Sequence, residues 1–428
     1  MNTTLRFTSL LAGAAILVAA CGSSGATTAP ASDAASGAPA SAPASAGTAS
    51  GAPSAAPLEG ELQIWHTYAS GAGTEKDTYD AIVADIMAKN PGLKINTTVQ
   101  NFFGAGNIFD KYALEVQAAG GPDMFIVPND SQGAQVRANS LQPLDDLVAS
   151  TGIDLSVFSD LSVAGCTVDG KLYCIPESLK AVGFYYDKSK VATPPTTTDE
   201  LLAAVKDGSV KLAVNQGAYH NFGYWSAFGG KLMDDTGKCI ADQGGVADAH
   251  KLFADLKTAG AMWSGANNYA KVADAFKQGQ VTALVDGPWA SGGYKETLGD
   301  NLAVAPLQSG PAGDSQPITG TDGWFINPNS TNQELATRVG YLISTEYEQQ
   351  FVDKSGHIPA LTSATISDPI TQGFADAVAN GLPRPQAKEL DNFWSNFDNA
   401  LNAVIDKGTD PVKAVADACA AMNKANGK

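Results

Sequence analysis

Apolar and polar residues alternate over Glu61-Leu-Gln-Ile-Trp-His66, which places Leu62 and Ile64 on one face of a predicted strand. The period then changes. Tyr79, Ile82, Val83, Ile86 and Met87 recur at helical spacing, and Asn90-Pro91-Gly92 ends the pattern. A β-branched strand over 93–100 follows, then a helix over 108–119 whose face carries Ile108, Phe109, Tyr112 and Val116, then a strand over 124–127. Strand, helix, strand, helix, strand implies right-handed parallel crossovers and an α/β fold. Ligands of such sheets sit beyond the carboxyl ends of the strands. Here those ends are His66-Thr-Tyr-Ala-Ser-Gly71 and Pro128-Asn-Asp-Ser131.

A second block of similar texture begins near Glu177, with predicted strands over 182–186, 210–214 and 281–286 and helices over 246–259 and 272–278. Helices dominate the remainder, over 332–344, 390–405 and 411–424; Asp410 suits the cap of the last and Pro411 its first turn.

The first 57 residues read differently. Arg6, the apolar stretch 10–18 and Val18-Ala19-Ala20 compose an export leader over 1–20, too short to span a membrane as a stable helix. Cys21 stands at the cleavage point. The segment therefore resembles the lipobox of bacterial lipoproteins, whose cysteine is acylated; the alternative is an ordinary secretory leader with an incidental cysteine. Beyond it, Gly22 to Pro57 holds only Gly, Ser, Ala, Thr and Pro apart from Asp33, a composition that cannot offset the entropy of ordering. Residues 21–57 are thus expected to be a lipidated, disordered linker spanning roughly 30 to 36 Å.

About 370 residues remain, more than one core usually holds, so two lobes are expected. The chain of 428 residues carries a formal charge of −17, which argues against nucleic acid and against anionic ligands held by bulk charge. Beyond Arg6 there are only three arginines, Arg137, Arg338 and Arg384, so no cluster offers itself to phosphate. Cys166, Cys174, Cys239 and Cys419 allow three disulfide connectivities in an oxidising compartment. Asp169-Gly170 marks a hairpin, and a three-residue loop over 169–171 would set Cys166 opposite Cys174. Cys239 then pairs with Cys419 by elimination. The histidines are scattered and no Cys-x-x-Cys occurs, so no metal is expected, and no cofactor is implied.

Several motifs in order carry a resemblance over most of 58–428: Leu62-Gln-Ile-Trp-His66 before a helix ending Lys-Asn-Pro-Gly, Gly120-Gly-Pro-Asp123, Tyr173-Cys-Ile-Pro-Glu-Ser-Leu179 with Tyr185-Tyr-Asp-Lys188, Asp286-Gly-Pro-Trp289, Phe325-Ile-Asn-Pro-Asn-Ser330 and Phe393-Trp394. The chain resembles the maltose-binding-protein-like family 1 extracellular solute-binding proteins, the sugar receptors of ABC importers. The resemblance implies an α/β, two-lobed periplasmic-binding-protein-like fold (class II, type 2 topology) whose hinge the chain crosses three times. Lobe 1 would hold 58–176 and 323–363, lobe 2 would hold 177–322 and 364–428, and a sugar would lie between them.

Sugars present apolar C–H faces and hydroxyl rims, so their sites need aromatic platforms beside fixed acceptors. By resemblance, Trp289, Trp394 and Tyr219 occupy platform positions, and Asp130 and Glu177 match acidic ones. Asn129, Tyr68, Ser70, Thr321, Asp322 and Trp324 lie on segments expected to face the cleft, although Gly320-Thr-Asp-Gly323 also fits a tight turn. Where the maltose-binding pattern has a tryptophan and then an arginine around the matching aspartate, this chain has Val127 and Ser131. That departure turns the expectation from maltose itself toward a related oligosaccharide.

The expected partners are a carbohydrate and the transmembrane subunits of an ABC permease. The protein would be a monomer on the outer face of the bacterial cell membrane, touching it only through lipidated Cys21. Rival readings are the same fold binding a non-sugar solute, a surface lipoprotein without ligand, and a glycoside hydrolase. Hydrolysis would need two carboxyl groups about 5 to 9 Å apart around one bond, and no local motif argues for that pairing.

Overall fold

The computed structural model describes residues 57–68, 75–102, 104–265 and 268–428. The leader, Cys21, the linker as far as residue 56, and Ser70 lie outside the described residues. Among the described residues the strands are, in chain order, β1 (Gly60–His66), β2 (Leu93–Val99), β3 (Met124–Pro128), β4 (Thr167–Val168), β5 (Lys171–Leu172), β6 (Cys174–Lys180), β7 (Gly183–Asp187), β8 (Leu212–Val214), β9 (Met262–Trp263), β10 (Ala283–Asp286), β11 (Leu302–Ala305), β12 (Ile318–Ile326), β13 (Ile358–Pro359) and β14 (Leu382–Pro383). The first sheet runs β13-β6-β12-β3-β1-β2, with β14 beside β12; the second runs β11-β7-β10-β8-β9.

β1 pairs in parallel with both β2 and β3, as the alternating strand–helix pattern requires. The helix Glu75–Lys89 between β1 and β2 buries Tyr79, Ile82, Val83 and Ile86. The next helix, Ile108–Gln117, starts at Asn107, whose side chain accepts from the backbone N–H groups of Phe109 and Asp110. Such a cap contributes about 1 kcal/mol. Together with β3 these elements enclose the first core, around Leu62, Ile64, Tyr79, Phe125 and Trp324.

The second sheet is covered on both faces, and its side chains alternate accordingly. Phe184, Leu212, Val214 and Val285 join one core, with Trp225 and the C-terminal helices Trp394–Lys407 and Pro411–Asn426. Tyr185, Ala213 and Leu284 point the other way, into a core with Phe276 and Phe374. The closing helix begins at Pro411 with Asp410 as its cap.

β12 is buried over its whole length, antiparallel to β3 on one side and β6 on the other. Gly320-Thr-Asp-Gly323 is therefore strand, not turn: pairing on both edges overrides local turn propensity. The register with β6 shifts between Asp322 and Gly323, so that Ser178 faces Asp322 while Pro176 faces Gly323, and Glu177 is left in a bulge. Gly323 is required there, because a Cβ would lie 2.4 Å from Cys174 Sγ.

Cys166 is bonded to Cys174, and Cys239 to Cys419, with Cα–Cα distances of 5.0 and 5.5 Å. The hairpin loop has two residues, not three. Asp169 and Gly170 both take positive φ, 49° and 76°, the conformation of a tight primed turn. Val168 thus pairs with Lys171, Cys166 faces Tyr173 through the Tyr173 N–H to Cys166 O bond of 2.9 Å, and the disulfide reaches one residue further, to Cys174.

Candidate functional site

β10 ends in Asp286, and Gly287-Pro288 turns the chain so that Trp289 emerges half-exposed, at 46%. Its ring lies over Gly287, where any Cβ would stand 2.1 Å away. The indole Nε1 donates to Tyr269 Oη at 3.2 Å, and that hydroxyl donates to Asp286 Oδ2 at 2.7 Å. Tyr294 donates to the same oxygen at 2.6 Å, and the Gly287 N–H to the other oxygen at 2.8 Å. The platform is thereby tethered to a buried carboxylate, and its indole N–H is already used.

Tyr219, on the short helix Ala218–Asn221, has its ring 6.1 Å from Trp289 and 6.4 Å from Trp394. The three platform positions thus share one place. Burial raises the Tyr219 hydroxyl above its ordinary range, and Asp130 adds to this while Arg384 opposes it, so the group is a neutral donor at neutral pH. Trp394 opens its helix, behind Phe393, which anchors it to the second core.

Asp130 lies in the turn that follows β3, and its Oδ1 meets Arg384 Nη1 at 2.8 Å. The guanidinium of Arg384 sits 4.7 Å over the Trp394 ring. Neighbouring contacts join the same two segments. Gly133 N–H donates to Gln386 Oε1 at 2.9 Å, and Arg137 donates to Gln386 O at 2.9 Å and pairs with Asp391 at 3.0 Å. Asp130 is thus paired with an arginine from a distant stretch of chain.

A cluster of charges gathers where β6 and β12 meet the start of the helix Glu75–Lys89 and the residue before β13. Lys180 Nζ lies 2.6 Å from Asp322 and 3.7 Å from Glu75, and His357 contacts Glu177 at 2.8 Å and Glu75 at 3.1 Å. Burial pushes the Asp322 carboxyl up to about 6 despite Lys180. At Glu75 burial acts in the same sense, but the Lys180 charge and the His357 bond prevail and hold it down to about 2. Burial opposes the charge on His357, yet Glu177 and Glu75 keep it protonated well above its ordinary range. Glu348, buried beside Glu177, is driven the other way, toward its neutral form, by burial first and by the Glu177 charge. A recess lined by Glu75, Lys180, Trp289, Ser355 and His357 joins this cluster to the platform.

Of the remaining positions singled out in the sequence, Tyr68 adjoins the charge cluster, its ring 6.2 Å from that of His357, and Asn129 adjoins the Arg384 segment through Gln386. Trp324 is fully buried in the first core, 5.9 Å from Tyr79. Tyr68 is buried against Tyr79 and Phe351. Asn129 is buried, donating to Gly165 O at 2.9 Å and accepting from the Thr321 N–H at 3.3 Å. Sequence reasoning missed Arg384, Tyr269, Lys180 and His357. The signal for Arg384 was its place between Pro383 and Pro385, an extended stretch just before Trp394.

Two α/β bodies, each built on its own sheet and contacting one another through the Asp130–Arg384 pair, compose a two-lobed fold. The model of the bacterial extracellular solute-binding proteins matches residues 81–379. The chain belongs to that family. It is 24% identical over 367 residues to the maltotriose-binding protein of Pyrococcus abyssi, covering 81% of this chain and 78% of that one. It is equally 24% identical over 367 residues to a maltooligosaccharide ABC transporter solute-binding lipoprotein of Streptococcus pneumoniae, covering 80% and 84%. Among solved structures, the maltotriose-binding protein of Thermus thermophilus, bound with maltotriose, superposes with a TM-score of 0.73 at 25% identity, covering 85% of this chain and 99% of that one. The GacH receptor of Streptomyces glaucescens shares the fold, with a TM-score of 0.75 at 24% identity over 86% and 98% of the two chains.

Proposed function

We propose that this protein captures a neutral oligosaccharide of the maltooligosaccharide class between its two lobes and delivers it to the transmembrane subunits of an ABC permease. The observation that carries this is the convergence of Trp289, Tyr219 and Trp394, with ring centroids 6.1 and 6.4 Å apart, beside the Asp130–Arg384 pair. Flat rings receive the C–H face of a pyranose, and polar groups held in place receive its hydroxyls. The charges come as opposed pairs, which suits an uncharged guest. Lobes of 58–176 with 323–363 and of 177–322 with 364–428 divide the chain at Glu177 and Gly323, the position of the bulge between β6 and β12. The protein acts as a monomer, tethered through lipidated Cys21 behind the 21–57 linker.

No chemistry is assigned to the site. Asp130 is committed to Arg384 and Glu177 to His357, an arrangement that serves holding rather than proton transfer. Ligand contacts made by both lobes favour the closed form by the difference in affinity for closed and open states. A thermal-shift panel of glucose, maltose, maltotriose, maltotetraose, lactose and trehalose tests this. A rise in Tm with an α-linked glucan, without release of smaller sugars, is expected. No shift with any of them, or steady hydrolysis, overturns it.

A further inference from the structure

We propose that the stretch 386–391 is a latch between the two bodies, which holds the resting protein shut and sets how fast a sugar enters and leaves. The kinetic part of the inference rests on the carbohydrate reading of the site.

The two sides of the contact are rooted in different cores. The short helix Gln132–Arg137 packs Val136 against the first core, whereas Leu390 and Phe393 belong to the second. What joins them is polar. Gln386 Oε1 accepts from the Gly133 N–H at 2.9 Å, its Nε2 donates to Asn129 O at 3.2 Å, and its carbonyl accepts from Arg137 Nη1 at 2.9 Å. Arg137 Nη2 reaches on to Asp391 Oδ2 at 3.0 Å. The first N–H groups of a helix have no partner within it, and Ser131, at the cap position, makes no side-chain bond to this one. Gln386 thus caps a helix of the opposite body.

The strap that presents Gln386 is stiff. Pro383 and Pro385 flank Arg384, whose N–H donates to Thr319 O at 3.0 Å, and Gln386 Nε2 also donates to Arg384 O at 3.2 Å. A strap ordered beforehand loses little freedom on latching. Yet each bond is one that water replaces when the bodies part, so its net worth is modest. Arg137 and Asp391 are 36% and 61% exposed, a pair that salt screens. Such a latch holds and still releases, as a wide apolar interface would not. Gln386, Arg137 and Asp391 stand outside the group of rings, so the latch is the same whether the cleft is empty or filled. Loosening it multiplies the open fraction of both forms by one factor; entry and exit then quicken together while Kd stays put.

Stopped-flow fluorescence of the full chain mixed with maltotriose tests this. Arg137→Ala and Gln386→Ala are each expected to raise the association and dissociation rate constants about fivefold, the worth of one hydrogen bond, with Kd within roughly twofold of wild type. Added salt should quicken exchange in wild type and leave Arg137→Ala nearly unmoved. A weaker Kd at an unchanged association rate would make these residues holders of the loaded form alone, and overturns the proposal. Both rates unchanged overturn it too, and leave the carbohydrate reading standing. If wild type binds none of the sugars, that reading falls and small-angle scattering of the unliganded protein decides the latch. A larger radius of gyration in the double variant sustains it, and an unchanged one ends it. Arg137 is a surface residue, so its variant serves should Gln386→Ala fail to fold.

Discussion

Removing the Trp289 platform should cost affinity without costing fold. A tryptophan side chain offers roughly 200 Å², and at 46% exposure about 90 Å² of it stands free to be covered. A pyranose lying on the ring would cover about two-thirds of that area, which at about 25 cal/mol/Å² contributes ~1.5 kcal/mol. Ring-face contact beyond simple area adds about 0.5 kcal/mol. Trp289→Ala should therefore weaken maltotriose by about 2 kcal/mol, or roughly 30-fold in Kd. Because the ring is half in solvent, the unliganded protein should melt within a few degrees of wild type.

A second substitution separates the platform from its tether. Tyr269→Phe removes the hydroxyl that accepts from Trp289 Nε1 at 3.2 Å but leaves both rings. It should cost less than Trp289→Ala, through a looser indole. Calorimetry on both variants decides the matter. Maltotriose Kd within threefold of wild type in Trp289→Ala would refute the stacking argument, and an equal loss of Tm without ligand would reassign the ring to structure.

Three other outcomes are expected. Gly133→Ala places a Cβ 2.1 Å from the Gln386 carbonyl oxygen, a backbone atom that cannot swing aside, so the midpoint of urea unfolding should fall by about 2 kcal/mol equivalent; an unchanged midpoint would dismiss the contact. Replacing Cys239 and Cys419 together by serine opens a loop closed over a separation of 180 residues. The loss should be about 5 kcal/mol by equilibrium unfolding, and one below about 1 kcal/mol would show the bond to be incidental. The folded protein keeps Asp322 protonated up to about 6, whereas the unfolded chain releases that proton near 3.8, so the folded state binds more protons between those values and the stability contributed there falls as pH rises. Asp322→Asn should flatten that decline, and an equally steep decline in the variant would contradict the assignment.

The first parallel unit was legible because its signals are local and agree: alternation in 61–66, helical spacing in 79–87 and the Asn90-Pro91-Gly92 stop all describe one βαβ unit. β12 was not legible. Ile318-Thr-Gly-Thr-Asp-Gly-Trp-Phe-Ile326 carries two glycines and an aspartate, and only its position between β3 and β6 makes it a strand. Two-residue strands such as β13 and β14 leave no periodicity to read. At the candidate site, Trp289, Tyr219 and Trp394 were named through the family resemblance and Asp130 from its place after β3, and the structure brings the three rings together. Arg384 could not be joined to Asp130, because their contact spans more than half of the chain and no local pattern encodes it. Trp324 looked like a cleft residue by its neighbours in sequence, but alternation along a strand buried on both faces sends it into the first core.

The Cys239–Cys419 bond also sets a timetable. Its partners lie 180 positions apart, so the helix that carries Cys419 cannot be locked until everything between the two cysteines has been made and has met oxidising conditions. Before that moment the helix is held by packing and by hydrogen bonds such as those between Asn423 and the backbone of Cys239. Once made, the crosslink fastens the helix Pro411–Asn426 to Cys239 and so closes one place at which local unfolding, and with it proteolysis, could begin.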